Sequence, residues 1–280
     1  MKIKKRSNST PEPKLSEMSR LELKELLKKQ GETGPKYMFS AVELATDTRD
    51  YRYVFWLDLM GARNSMKLSL PRAARSVMKI HAAALLAKQK YRQLEINPVM
   101  DGVYGFVKDR VLLQSCLADI LERLAKVFVL EHMPSSRFMV RAGVACGPLI
   151  PGASLAAGAT ILQKNKRYLG GTAIGMGISH AYEAESNAPP FGVYIHESAR
   201  AFAPRKEGNY PYQVNLWRWF DEDTALTWAI RRTLLAHFDW LEKNPVAAQY
   251  DLEAMRRHKN LAVEYFRLHE LTGQKIENKQ

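Results

Sequence analysis

The sequence predicts an α+β domain organised on one sheet, with helices appended at both ends. Three features point there. Tyr53–Leu59 is aromatic and branched with no breaker, as a buried strand is. Asp101-Gly102 sits between the apolar runs Leu94–Met100 and Val103–Val107, a strong hairpin signal. Helical periodicity lies between and after these segments, giving the order strand, helix, hairpin, helix, strand, loop, helix, strand.

In order, residues 1–13 are polar, basic and proline-containing, the composition of a disordered tail. Leu15–Gln30 reads as an amphipathic helix on Leu15, Met18, Leu23, Leu26 and Leu27, ended by Gly31, Gly34 and Pro35. A short helix of this kind packs on its own domain or on a partner subunit. After the first strand, Gly61–Leu70 reads as a turn region. Pro71 suits a first helical turn with Ser69 as cap, and that helix runs through Val77, Ile80, Ala83, Leu85 and Leu86 towards Tyr91. Val111–Leu130 is a helix with Leu113, Leu117, Ile120, Leu121 and Leu124 on one side. Phe138–Val144 alternates as a strand, Gly147–Gly158 is loop-like, and Ala173–Glu185 is a helix of small residues. Gly192–Ile195 is a short strand, Glu197–Phe202 a short helix and Tyr212–Phe220 an edge strand. Two helical patterns then run to the C-terminus, broken at Asn244-Pro245. The central pattern is of the ferredoxin-like kind, an antiparallel sheet with helices on one face. The chain divides into a basic tail and helix at 1–36, a central domain at 50–220 and a helical extension at 221–280.

The composition allows a sizeable core: 280 residues, 46% hydrophobic and 10% aromatic. The formal charge is +13, a balance that suits polyphosphate, nucleic acid or an anionic surface. Residues 1–36 hold ten Lys or Arg and five Glu, so the tail supplies +5 of it. No run is long enough to span a bilayer, and Met1–Arg6 has no apolar segment after it, so neither a membrane span nor a secretory signal is expected. Cys116 and Cys146 make no disulfide framework. A cytoplasmic setting follows. Direct nucleic-acid binding rests on the net charge alone, with no recognised motif behind it.

Two carboxylates interrupt the apolar pattern. Asp58 lies inside the first strand and Asp101 in the hairpin. Taken singly, each reads as a turn residue: Asp58 capping the end of its strand, Asp101 serving the hairpin. Taken together they gain meaning, because a strand followed by a crossover helix and a hairpin can bring the strand end beside the hairpin tip. Two carboxylates meeting there repel one another unless a cation lies between them. Oxygen ligands of this sort suit Mg²⁺ or Mn²⁺. Gly61, Ala62 and Gly102 would let a polyphosphate approach the backbone.

Four segments in this order resemble the class III nucleotidyl cyclase domain. Phe55-Trp56-Leu57-Asp58-Leu59-Met60-Gly61 resembles its first strand, and Val99–Tyr104 its metal-binding hairpin, the two aspartates lying 43 residues apart. Phe138–Pro148 resembles its RxGxxxGP strand, with Arg141, Gly143, Gly147 and Pro148 in place. Ile178–Glu185 sits where the family carries VNxAxRxE. The match covers residues 51–220. It implies that Asp58, Asp101 and the Leu59 carbonyl hold two divalent ions, Mn²⁺ or Mg²⁺. It implies further that Arg141 contacts the polyphosphate, its alternative being a surface charge on a strand, and that a homodimer forms its sites between subunits.

The departures bear on substrate. The family's ribose-orienting asparagine falls on Ser179, and its transition-state arginine on Glu183. Another cation must then serve, and Arg63, Lys67, Lys108 and Arg110 are the candidates near the expected phosphate site. The purine-reading lysine and aspartate fall near Glu95 and Thr172. Glu95 offers only acceptors, which suits the N3–H of uracil or the amino group of cytosine, and it reads equally as a solvated strand-end acid. With these changes and its added helices the chain is similar to the pyrimidine cyclases of bacterial Pycsar anti-phage systems. That resemblance implies conversion of UTP to 3′,5′-cyclic UMP and pyrophosphate, with CTP as the alternative, and an effector protein that reads the product. A purine cyclase and a silent nucleotide-binding module are the other readings.

Overall fold

The computed structural model describes residues 19–22, 25, 50–155, 164–202, 215–248 and 250–272. Its centre is a six-stranded sheet in the order β2-β3-β1-β4-β7-β8. The strands are β1 (Tyr51–Leu59), β2 (Glu95–Pro98), β3 (Gly102–Val107), β4 (Val140–Pro148), β7 (Val193–Ile195) and β8 (Leu216–Trp217). A two-stranded ribbon, β5 (Ile150–Pro151) with β6 (Ala173–Ile174), stands beside it. The longer helices are α1 (Ala62–Leu68), α2 (Leu70–Lys90), α3 (Arg110–Leu130), α4 (Met176–Glu185), α5 (Ala225–Lys243) and α6 (Leu252–Tyr265). The α+β class expected from the sequence is the one observed.

Alternation along the strands sorts their side chains onto two faces. Phe55, Leu57 and Leu59 of β1, with Val103 and Val107 of β3 and Val140, Ala142 and Val144 of β4, join the large core. α2 contributes Ile80, Ala84 and Ala87 to it, and α3 contributes Leu113, Leu117, Leu121 and Phe128. α5 adds Ile230, Leu234 and Phe238, so the C-terminal helices share one continuous core with the sheet. Burial of each such Val, Leu, Ile or Phe side chain is worth roughly 1.5–3 kcal/mol.

The other face is smaller and differently built. Val54, Tyr104, Phe106 and Ala145 point there and pack with Ala181 of α4. The expectation of helices on one face therefore needs an addition: α2, α3 and α5 cover one side, and α4 lies across the other. α4 is also the crossover that lets β7 join β4 in parallel, the one parallel pair in the sheet. α4 approaches closely because β4 presents Gly143, where a Cβ would overlap the Ala181 carbonyl oxygen and the Glu185 amide nitrogen.

Several local expectations shift. Residues 61–70 hold a two-turn helix, α1, which begins after Gly61 at φ 73°, a left-handed position that favours glycine. Ser69 is the cap position of α2 but its side chain makes no capping bond. Asp109 does cap α3, accepting from the Val111 and Leu112 amides at 2.7 and 3.1 Å. α4 starts at Met176, because 173–174 pair with β5 instead of helix. β8 keeps only two residues of the expected edge strand, whose start lies outside the described residues. Of the expected first helix, Ser19 and Glu22 form a reciprocal capping box, Ser19 N–H to Glu22 Oε2 at 2.7 Å and Glu22 N–H to Ser19 Oγ at 3.3 Å. The rest of that segment, apart from residues 20, 21 and 25, and the 1–13 tail lie outside the described residues. Both cysteines are free, and burial pushes the Cys116 thiol up to about 12. Among the described residues no helix is long and apolar enough to cross a membrane.

Gly143→Ala is expected to destabilise the protein by about 1–3 kcal/mol, because the added methyl must push α4 off the sheet. The readout is a lowered urea midpoint at unchanged slope. A midpoint equal to wild type would mean that α4 does not rest on β4 as described.

Candidate active site

Asp58 is the second-last residue of β1 and belongs to the α4 face of the sheet. Its register partners are Gly102 on β3 and Arg141 on β4. The hairpin is held by the Val99 amide donating to the Gly102 carbonyl at 3.0 Å, which sets Asp101 at the tip beside the end of β1. The Asp58 carboxylate lies against Gly102: its Oδ1 is 3.1 Å from where a Cβ on that glycine would stand. The two aspartates singled out in the sequence are thus brought together by strand pairing.

Glu185, at the end of α4, completes the cluster. It is 3% exposed and accepts from Arg141 Nε, while Arg141 Nη1 donates to the Ser186 carbonyl at 3.0 Å. Arg141 is thus bonded to Glu185 and close enough to Asp58 for its charge to act there. Burial pushes Asp58 up to about 7, with the charges of Glu185 and Asp101 adding to the rise and the Leu59 amide and Arg141 opposing it. Glu185 is raised as well, first by burial, with Arg141 pulling it down. Like charge crowded into a poorly solvated corner is relieved by a cation. Among the described residues no group of three or more His, Cys, Asp or Glu side chains is placed to hold a metal ion. The donors present, two aspartates and adjacent backbone carbonyls, are hard oxygen ligands. They fit Mg²⁺ or Mn²⁺ if phosphate or water oxygens fill the remaining positions.

The other expected residues are spread over the same face. Glu95 opens β2 opposite Phe106, which itself faces Val54, four residues before Asp58. That is about 13 Å along the strand. Glu95 is exposed and lies 3.7 Å from Lys88 Nζ. Thr172 donates its hydroxyl to the Tyr168 carbonyl at 3.0 Å. It follows Gly171, whose carbonyl takes the Tyr104 hydroxyl at 3.4 Å. Between these points runs an aromatic floor, Trp56 stacked on Tyr104 at 5.8 Å and Tyr104 on Phe106 at 6.4 Å. Ser179 and Glu183 are exposed, one turn apart on α4, while Ala181 and Glu185 turn inward. Neither Ser179 nor Glu183 is brought to Asp58 within this chain.

Two of the candidate phosphate cations are misplaced. Lys108 follows β3 at the far end of the sheet and pairs with Asp50 at 2.9 Å. Arg110 is beside it and donates to the Ala201 carbonyl. β3 runs antiparallel to β1, so its C-terminal end meets the start of β1 and not Asp58. Arg63 and Lys67 are on α1 and exposed, at the correct end.

Three contributions escaped the sequence reading. Glu185 was recognisable as an acid on the inward face of a helix otherwise lined by alanine and glycine. Asn97 is buried on β2 opposite Tyr104. Tyr250, from the C-terminal helices, packs its ring 3.0 Å from the Cβ position of Gly61 and bonds His258 Nδ1 at 2.8 Å. Burial raises the Tyr250 hydroxyl and lowers His258 to about 4, Arg141 being near enough to act on both. Nothing local in the sequence marks that contact, which spans nearly the whole domain.

No family model matches the chain, and no curated protein does. Solved structures with a similar outline include a double mutant of the guanylyl cyclase domain of the RhoGC fusion protein from the aquatic fungus Blastocladiella emersonii, at 15% identity and TM-score 0.41, covering 54% of this chain and 82% of that one. A bacterial light-regulated adenylyl cyclase aligns at 14% identity and TM-score 0.42 over 78% of this chain and 72% of its own. A further structure so described aligns at 13% and 0.30 over 36% and 55%. At these identities the likeness is one of outline, and the functional reading rests on the residues.

The raised Asp58 has a consequence for stability. Between its ordinary value of 3.8 and about 7, the folded protein keeps a proton on Asp58 that the unfolded chain has lost. Metal-free stability is therefore expected to fall as pH rises through that window, by up to about 1.4 kcal/mol per unit from this group. Melting wild type and Asp58→Asn in EDTA from pH 5 to 8.5 isolates the effect. The variant gains on wild type as pH rises, and Mn²⁺ at pH 8 stabilises wild type alone. Parallel profiles would show that Asp58 is not under charge stress.

Proposed function

We propose that this chain is a nucleotidyl cyclase of the class III type, acting on a pyrimidine nucleoside triphosphate. The carrying observation is the meeting of Asp58 and Asp101 at the end of β1, under mutual repulsion and open to a hard cation. Asp58 and Asp101, with the Leu59 carbonyl, hold the ions. Two divalent ions bound there supply charge neutralisation at the triphosphate and a lowered pKa for the ribose 3′-hydroxyl. The 3′-oxygen forms its bond to the α-phosphorus as the bond to the β-phosphate bridge breaks, and pyrophosphate leaves. Arg141 reaches the β- and γ-phosphates on exchanging its Glu185 bond for theirs, and Arg63 and Lys67 lie at the same end to assist.

The base lies towards β2. Glu95 accepts from the N3–H of uracil, Thr172 borders the same face, and Ser179 meets the ribose. Because Ser179 faces outward from α4, the site that includes it draws Asp58 from one copy and Ser179 from another, so the active form is a homodimer. UTP is the substrate by this reading and 3′,5′-cyclic UMP the product, made in the cytoplasm as a second messenger read by an effector protein in anti-phage defence, with CTP as the alternative and a purine triphosphate after it. A silent nucleotide-binding module is the second reading. It is favoured by the commitment of Arg141 to Glu185 and by Glu183 in place of a cation.

Incubation with ATP, GTP, CTP or UTP and Mn²⁺, with products identified by mass, separates these. Cyclic UMP is expected; a purine product overturns the pyrimidine assignment, and no cyclic product from any nucleotide leaves the silent module. Asp58→Ala and Asp101→Ala should each lower turnover at least ~10²-fold, the scale of losing a charge-stabilising group, with an unchanged circular dichroism spectrum. Near-normal turnover in either removes the carboxylate pair from the chemistry.

A further inference from the structure

Behind the Leu59–Gly61 turn, with Asp58 outside its lining, lies a cleft of about 60 Å³ walled on one side by the C-terminal helices. Its polar lining carries no acid. Arg72 from α2 and Arg137 supply two guanidinium groups, and Ser65, Ser135 and Ser136 supply hydroxyls, with no carboxylate among the lining residues. Arg137 Nε donates to the Glu131 carbonyl at 3.1 Å and its guanidinium lies over Phe128 at 6.0 Å, which holds it in place. Among the described residues neither Arg72 nor Arg137 has a carboxylate partner.

His237 of α5 is the second, independent sign. It lines the cavity, is 3% exposed, and its Nδ1 is buried with no hydrogen-bond partner. Burial, then the charge of Arg137, lowers it to about 4, so the ring is neutral and has one N–H to give. A buried polar nitrogen left without a partner is costly, a cost that a ligand in the cavity removes. Phe128 and Trp240 fix the ring, at 5.6 and 6.1 Å between centroids.

We propose that this cavity is a binding site for a small tetrahedral oxyanion, inorganic phosphate in kind, held by the Arg72 and Arg137 guanidinium groups, the serine hydroxyls and His237 Nδ1–H. The volume holds on the order of four waters, which suits one such ion and excludes a nucleoside. Two arginines and no carboxylate select the charge, and the planar forks suit paired oxygens. The site is separate from the Asp58 cluster and joined to it by the Leu59–Gly61 backbone, which forms one wall of the cavity and the exit from β1.

Calorimetric titration of the full chain with inorganic phosphate, against chloride at matched ionic strength, tests it. One saturable site per chain is expected. Arg72→Gln, half-exposed and outside the core, should weaken binding by about 10-fold or more. Arg75→Gln, on the same helix but outside the cavity, should leave it unchanged. No saturable binding to wild type overturns the proposal. So does equal weakening by Arg75→Gln, or loss in Arg141→Gln with Arg72→Gln unaffected, which would put the ion at the Asp58 face.

Discussion

Asp58 is a carboxylate held in a place that disfavours its charge, and much of the structure serves to keep it there. Antiparallel pairing on both sides of β1 fixes it, with Gly102 on one flank and Arg141 on the other. Strand register admits no half-measures: a slip of one residue would turn Asp58 into the large core and Leu57 out of it. The alternation that buries Phe55, Leu57 and Leu59 against α2 and α3 is therefore the same constraint that delivers Asp58 to the opposite face.

The RxGxxxGP pattern of β4 gains a physical meaning from this. Its arginine is the counter-charge, and its glycines are the flat ground on which α4 rests. Because α4 lies so low over Gly143, Glu185 reaches Arg141 and shares it with Asp58. A bulkier β4 would lift the helix and dissolve the cluster. The net effect is that Arg141 is bonded to Glu185 while Asp58 stays crowded by the charges of Glu185 and Asp101.

The C-terminal helices have a structural part in the site. α5 closes the core over α3, and the segment after it brings Tyr250 onto Gly61, the left-handed residue that ends the β1 turn. The backbone leaving Asp58 is thus clamped between the Asp58 cluster on one side and the arginine-lined cavity on the other. Packed side chains and a rigid turn are the kind of contact through which occupancy of one site can bias another.

Local chemistry made part of this legible beforehand. The apolar run of β1, the Asp-Gly hairpin and the periodicity of α2, α3 and α5 depend on near neighbours, so the strands, the main helices and the pairing of Asp58 with Asp101 could be read from residue order. The two-turn helix α1 was missed because Gly61 opens it from a left-handed conformation that reads as a turn. Lys108 and Arg110 were assigned to the wrong end of the sheet because their closeness in sequence to Asp101 hides the length of β3 between them. By itself, then, the sequence determined the alternation of faces, the hairpin and the residue types of the site. Only the tertiary structure decided that α4 crosses the opposite face, that Glu185 reaches Arg141, and that Tyr250 and His237 close around the turn. These depend on contacts between residues up to nearly two hundred positions apart, whose energy no local pattern records.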